Sequence, residues 1–193
     1  MPKNTTETDQ ELVAAAIADR QAFSHIVHRY EAPLGRYVRR VGATESDADD
    51  VLQEVFVKLF INLNDYDPHL KFSSWLYRIA HNETVSFLRK KNIRPGVLTL
   101  SAEDVDFFFE QLADETDFAE LASRRYDAQI VRESLRELAP RYAEVLTLRF
   151  LEEKSYSEIS DILKVPEGTV ATLINRGKQA LKGTLATRGI THI

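Results

Sequence analysis

The stretch Ser155–Lys182, SYSEISDILKVPEGTVATLINRGKQALK, decides the fold. It reads as two short helices separated by a tight break at Lys164-Val165-Pro166-Glu167. In the first, Tyr156, Ile159, Ile162 and Leu163 recur at helical spacing and make one apolar face. Ser155 and Ser157 are both able to cap its start, because a serine hydroxyl accepts from an otherwise unpaired N–H of the first turn. Pro166 cannot continue that helix but can begin another, where its missing N–H would be unpaired anyway. The second helix then buries Val170, Leu173 or Ile174, and Leu181. Its other side carries Thr169, Thr172, Asn175, Arg176, Lys178 and Gln179, and no acid interrupts the run from Ile174 to Arg188. A short helix, a tight turn and a polar, basic second helix predict a helix-turn-helix whose second helix enters the major groove of DNA. The alternative for the same spacing is a helical hairpin with a solvated basic face.

The rest of the chain sets limits. Its 193 residues suffice for one medium domain or two small ones, and 44% apolar with 28% charged residues is an ordinary globular balance. Without cysteine there is no disulfide, thiolate metal site or cysteine nucleophile. The polar, acidic start MPKNTTETDQE is wrong for a signal peptide, and Leu12–Ala18 is far too short to span a bilayer. A cytoplasmic location is expected. A net charge of −5 argues against nucleic acid until it is resolved along the chain. Residues 95–123 hold eight acids and no base, whereas Arg89, Lys90, Lys91 and Arg94 precede them and the basic helix follows. Phosphates respond to charge within a Debye length of about 8 Å, so the average conceals two basic patches divided by an acidic segment.

The pattern is helical throughout, and an all-α fold of two small helical domains is expected. A short helix near Glu11–Ala18 precedes a longer one capped by Asp19, in which Phe23, Ile26, Val27, Tyr30, Leu34, Tyr37, Val38 and Val41 keep helical spacing. Pro33 is expected to bend or break it. Asp47 to about Leu63 is the most regular helix, with Ala48, Val51, Leu52, Val55, Phe56, Leu59, Phe60 and Leu63 as its apolar stripe. Its opposite side shows Asp49, Asp50, Gln53, Glu54 and Lys58, which by itself fits a solvated face matched to the helix dipole. After a loop at residues 64–69, another helix is expected from Ser73 or Ser74 to about Lys91. The first domain spans residues 10–94, an acidic linker 95–125 and the second domain 126–183. The linker has room for a short helix around Phe107-Phe108-Phe109, whose rings pack on a neighbouring domain or contact a partner. The tail from Thr184 is expected to fray.

Signals for catalysis are weak. His25, His28 and Glu31 bracket a metal only loosely, and no zinc-protease, phosphate-loop, dinucleotide or nucleophile-elbow motif is present. No cofactor, metal or small-molecule substrate is implied, and the chain is not expected to be an enzyme. Residues 66–91 say more. Trp75, Asn82, Ser86 and Arg89 share one helical face, with Tyr66 in the preceding loop. Aromatic planes beside amides and cations suit single-stranded DNA, which offers bases to stack and phosphates to neutralise. For Trp75 and Tyr77 a place in the core is the competing account.

Together these strings resemble the bacterial RNA polymerase sigma factors of the extracytoplasmic-function (ECF) group. The resemblance rests on DADDVLQEVFVKLF (47–60) and FSSWLYRIAHN (72–82) for sigma region 2. For region 4 it rests on LAPRYAEVLTLRFLEEKSYSEISDIL and VPEGTV. It implies an alternative sigma factor that binds core RNA polymerase and directs promoter-specific initiation. Asp49, Asp50, Gln53 and Glu54 would then dock on the polymerase β′ coiled coil, in place of the solvated reading. Lys58 and Tyr66 would belong to the pocket for a flipped base of the −10 element, with Trp75, Asn82, Ser86 and Arg89 near the melted strand. In region 4, Thr169, Thr172, Asn175, Arg176, Lys178 and Gln179 would face the −35 duplex. Many members carry a Lys-Ser-Arg-like string after the Gly-Thr-Val; here it is Ala171-Thr172-Leu173, which removes two cations. Asn175 and Arg176 remain able to bond adenine and guanine edges. An anti-sigma factor is also implied, and in the free protein the acidic linker could shield region 4. The competing function is a free-standing helix-turn-helix regulator that binds duplex DNA without polymerase.

Overall fold

The computed structural model describes residues 7–93, 99–113 and 128–190, and no strand occurs among them. The first bundle contains α1 (Asp9–Ala18), α2 (Phe23–Arg40), α3 (Glu45–Ile61) and α4 (Phe72–Lys90). Each start follows from local chemistry. Thr8 and Glu11 form a reciprocal capping box on α1, and Asp19 caps the 3-10 turn Arg20–Ala22 that feeds α2. Thr44 Oγ1 accepts from the Asp47 amide at 3.2 Å, so α3 starts at Glu45, two residues earlier than its apolar stripe suggests. Helix α4 begins at Phe72, ahead of the expected serines, with no side-chain cap at Lys71.

Two expectations about this bundle need correction. Helix α2 runs through Pro33 without a break. A mid-helix proline costs about 3 kcal/mol, and buried Tyr30, Leu34, Tyr37 and Val38 on both sides of it supply enough apolar burial to offset that. Phe60 stands outside the α3 stripe, 39% exposed, with Phe23 at 5.1 Å edge-on and Arg20 over its ring. The rest of the stripe behaves as read: Ala48, Val51, Val55 and Leu59 are buried against α2 and α4.

The second bundle contains α6 (Ala128–Arg136), α7 (Pro140–Leu146), α8 (Tyr156–Leu163) and α9 (Glu167–Thr187). Helix α7 continues into a π-helical turn, Thr147–Leu151. Of the two serines able to cap α8, Ser155 does so, in a capping box with Glu158. Lys164 ends α8 in the left-handed conformation (φ 56°), and Pro166 is the N-cap of α9, one residue before its first turn. Ile174, not Leu173, is the buried residue of that pair. Helix α9 crosses α7 closely: a Cβ on Gly177 would lie 3.2 Å from Leu146 and 3.3 Å from Tyr142. The tail does not fray at Thr184. Leu185 and Ile190 are buried, and Arg188 bonds Glu133 of α6 (2.6 Å) and Glu137 just beyond it, so burial and charge hold the chain through residue 190.

Helix α5 (Ala102–Ala113) joins the bundles. Phe108 is buried with its ring 5.5 Å from Phe150, so packing on the second bundle accounts for the central aromatic of the linker triplet. The acids at 114, 115, 117 and 120 lie outside the described residues. The two bundles meet where α4 packs on α8 and α5 on the π turn. Arg40, at the end of α2 and 8% exposed, is the centre of that junction. Its guanidinium donates to Asp104 of α5 (2.9 Å from Nε), to Glu152 Oε1 (2.7 Å) and to the Leu151 carbonyl (3.0 Å). Leu151 is the last residue of the π turn, where a helix carbonyl has no intrahelical donor, and Arg40 supplies one. Tyr77 donates to the other Glu152 oxygen at 2.8 Å, Lys154 lies 4.1 Å over the Tyr77 ring, and Lys71 pairs with Glu158 at 3.3 Å. Burial pushes the Glu152 carboxyl up, and Arg40 and Tyr77 pull it back only in part. Burial acts the same way on Asp104, but there Arg40 and Ser101 outweigh it and the carboxyl lies below the usual range.

Candidate nucleic-acid interface

Helix α9 presents Thr169, Thr172, Asn175, Arg176 and Gln179 to solvent on one side, with Lys178 half-buried at its margin. Val170, Ile174, Gly177 and Leu181 fix the opposite side against α7 and α8. The turn therefore delivers the face read from the sequence. Thr172 Oγ1 is folded back onto the Gly168 carbonyl at 2.8 Å, so its hydroxyl hydrogen is taken while its lone pairs remain.

On α3, Asp49, Asp50, Gln53 and Glu54 are all exposed. The nearby Asp47 is different: it is buried and held by Lys91 at 2.6 Å and by Thr44, and those bonds, Lys91 foremost, lower its pKa. The acidic face is thus presented by a helix start that is itself pinned to the end of α4.

The six residues predicted for the melted strand are not brought to one place. Lys58, Trp75 and Asn82 line one groove between α3 and α4, of about 350 Å³, together with Asn62, Asp65 and Ile79. Ser86 lines the neighbouring groove, of about 470 Å³, whose other wall carries Asp50, Gln53 and Glu54. Tyr66 borders a third hollow under the 66–71 loop, with its hydroxyl on the Leu70 carbonyl at 2.5 Å and its ring 5.4 Å from Trp75. Arg89 is exposed near the end of α4, close enough to influence His81 of the same helix and Glu144 of the second bundle. Trp75 is half-buried among Tyr66 and Phe72, so the core and surface accounts of it both hold in part. Tyr77 is fully in the junction.

One residue of these grooves was not singled out by sequence. Glu83 pairs with Lys58 at 2.7 Å and belongs to the walls of both α3–α4 grooves. The available signal was that it is the single acid between Phe72 and Lys91. His25, His28 and Glu31 are exposed on α2, and no group of three or more potential metal ligands occurs among the described residues. No helix among them is long and apolar enough to cross a membrane.

Known families match both halves of this arrangement. The sigma-70 region 2 model matches residues 26–93, and a sigma-70 region 4 model matches residues 128–181. The two together define a sigma-70-type protein that carries regions 2 and 4. The relatives narrow the class. The ECF RNA polymerase sigma factor SigW of Bacillus subtilis is 31% identical over 171 residues, covering 86% of this chain and 90% of that one. The ECF RNA polymerase sigma-E factor of Escherichia coli is 32% identical over 177 residues, covering 90% and 92%. Among solved structures, CnrH in complex with the cytosolic domain of CnrY is similar with a TM-score of 0.67 and 26% identity, covering 94% of this chain and 99% of that one. The sigma factor RpoE of Bartonella quintana, in complex with the anti-sigma factor NepR, shares the fold at a TM-score of 0.62 and 17% identity, over 85% and 96%. The chain belongs to the ECF RNA polymerase sigma factors. It is an alternative sigma factor that directs transcription, and its relatives, being sigma factors, are not enzymes.

Proposed function

We propose that residues 10–94 form the unit that binds core polymerase and the −10 element, that 126–183 form the −35 reader, and that 95–125 link them. Asp49, Asp50, Gln53 and Glu54 dock on the β′ coiled coil. Thr169, Thr172, Asn175, Arg176, Lys178 and Gln179 face the −35 duplex, and Lys58, Trp75 and Asn82 take the melted strand between α3 and α4. The protein works in the cytoplasm with polymerase and catalyses no reaction of its own. An anti-sigma factor is a further partner, as CnrY is for CnrH and NepR for RpoE.

The observation that carries this proposal is the acidic face of α3. All four of its docking residues are exposed, on the side of α3 opposite the buried Ala48, Val51, Val55 and Leu59. A repressor that binds duplex DNA through α9 alone has no use for such a face; a subunit that must dock on a basic partner does. Co-purification of the full chain with core polymerase should be abolished by Asp50→Lys with Glu54→Lys. Retention of the doubly reversed chain at wild-type level would sink the docking assignment. Separately, truncating Asn175 or Arg176 should cost about 1–3 kcal/mol of promoter discrimination, read as loss of preference among −35 variants.

A further inference from the structure

Single-strand sites usually combine stacking surfaces with a cationic track that follows the backbone. The groove between α3 and α4 has the first without the second. Its walls carry the Trp75 indole, Ile79 and the Asn82 amide, but its one cation, Lys58, is accompanied by two carboxylates, Asp65 and Glu83. Glu83 also has a distinct position. The α3–α4 hollow on the Trp75 side and the one on the Asp50 side share only Lys58 and Glu83 in their walls, so the ion pair is the ridge between them. The two partners are unequally held: the Glu83 side chain is 17% exposed and that of Lys58 49%. The carboxylate is the fixed member, and the ammonium comes to it.

We propose that Glu83 is a specificity-determining residue: by holding Lys58 it keeps that ammonium off backbone phosphates, so that the groove retains a strand through its bases. This rests on the assignment of the groove to the melted strand. A phosphate that reached Lys58 would lie a few ångströms from a carboxylate that is itself mostly buried. The like-charge contact cancels most of what the ammonium offers, and what discriminates one strand from another is then left to Trp75, Ile79 and Asn82. Replacing the carboxylate by an amide of the same shape removes that cancellation and releases Lys58 for any strand, whatever its sequence.

The test uses the full chain bound to core polymerase, with core alone as baseline. The probes are fluorescent single-stranded 20-mers of dT, dC, dA and one mixed sequence. Each phosphate engaged on a single strand adds about 0.7 to the slope of log affinity against log salt. Glu83→Gln should therefore steepen the slope on every probe by about 0.7, an extra loss of about 2.6-fold between 50 and 200 mM salt. It should also tighten all probes at low salt and narrow the spread of affinities among them. Adding Lys58→Met to Glu83→Gln should return the slope to the wild-type value, because the released ammonium is then gone. An unchanged slope in Glu83→Gln, or a steepened one that persists when Lys58→Met is added, overturns the inference. So does a loss confined to dC and dA, which would make Glu83 an acceptor for exocyclic amino groups. Trp75→Ala separates the two levels: if it weakens no probe, the groove is not the strand site and both fall. If it weakens them while the slope of Glu83→Gln stands unchanged, only the role of Glu83 is lost.

Discussion

Replacing Arg40 by methionine should separate the two bundles without unfolding either. The guanidinium is 10% exposed, and the carboxylates it bridges, on Asp104 and Glu152, are 17% and 6% exposed. Methionine keeps most of the stem's packing but strands both carboxylates and the Leu151 carbonyl. Removing one partner of a buried ion pair costs about 3–5 kcal/mol. At about 1.4 kcal/mol per tenfold, that shifts the balance between packed and parted bundles by about 100- to 4000-fold. The cost falls on the junction because two of the three acceptors lie in the π turn and its exit, beyond α2. Since the chain has no cysteine, single cysteines at exposed Gln21 and at Gly183 can carry a fluorophore pair. Gly183 is suited to this because a Cβ there meets nothing within 4 Å. Energy transfer should drop in Arg40→Met and not in Arg36→Met, its exposed neighbour on α2. Adding Asp104→Asn and Glu152→Gln should restore much of it, because no stranded charge then remains. Unchanged transfer in Arg40→Met, with the helical signal intact, would refute the account of the junction.

Two further outcomes follow from the packing. His81 stands with Nδ1 3.1 Å from the Tyr37 hydroxyl, and burial, then Arg89, lower its pKa from 6.5 to about 4. The unfolded chain therefore takes the proton first, so this contribution is whole above about pH 6.5 and is lost as pH falls toward 4, by about 3 kcal/mol in all. Glu144, pushed up by burial, titrates in the opposite sense, so the readout is the difference between wild type and His81→Gln in urea unfolding at pH 7 and 5. Equal pH dependence in the two would remove His81 from the account. At the α7–α9 crossing, Gly177→Val should cost about 1–3 kcal/mol by overpacking Leu146 and Tyr142. Gly168→Ala, where a Cβ meets nothing, should be neutral or stabilising, and equal effects in denaturant titrations would contradict the close approach.

What was legible in the sequence is what four or five neighbouring residues determine among themselves. A serine cap on α8, the turn at Lys164–Pro166, the α9 polar face and the acidic face of α3 all follow from spacing within a turn or two. Where two neighbours had equal claims, as with Leu173 and Ile174, only packing against α7 and α8 decided. Pro33 and the tail were misjudged for a related reason: local propensity favours a break at one and fraying at the other, and burial of distant apolar residues overrides both. The junction was hidden for a stronger reason. Arg40 meets Asp104 and Glu152 across 64 and 112 residues, and no periodicity encodes such a pairing. The groove shows the same limit, since Lys58 and Glu83 lie on different helices and their encounter depends on how α3 and α4 cross.

The Leu151 carbonyl that Arg40 reaches has a bearing on how this chain can change. A main-chain oxygen is present whatever residue stands at 151, so point substitution there can alter the fit of the side chain but cannot delete the acceptor. Only a shift in frame, one residue gained or lost between Pro140 and Glu152, would carry it around the helix and out of reach. The contact is therefore inherited through the length of α7 and its wide last turn. Descendants of this sequence should tolerate substitution at 151 far better than insertion or deletion nearby.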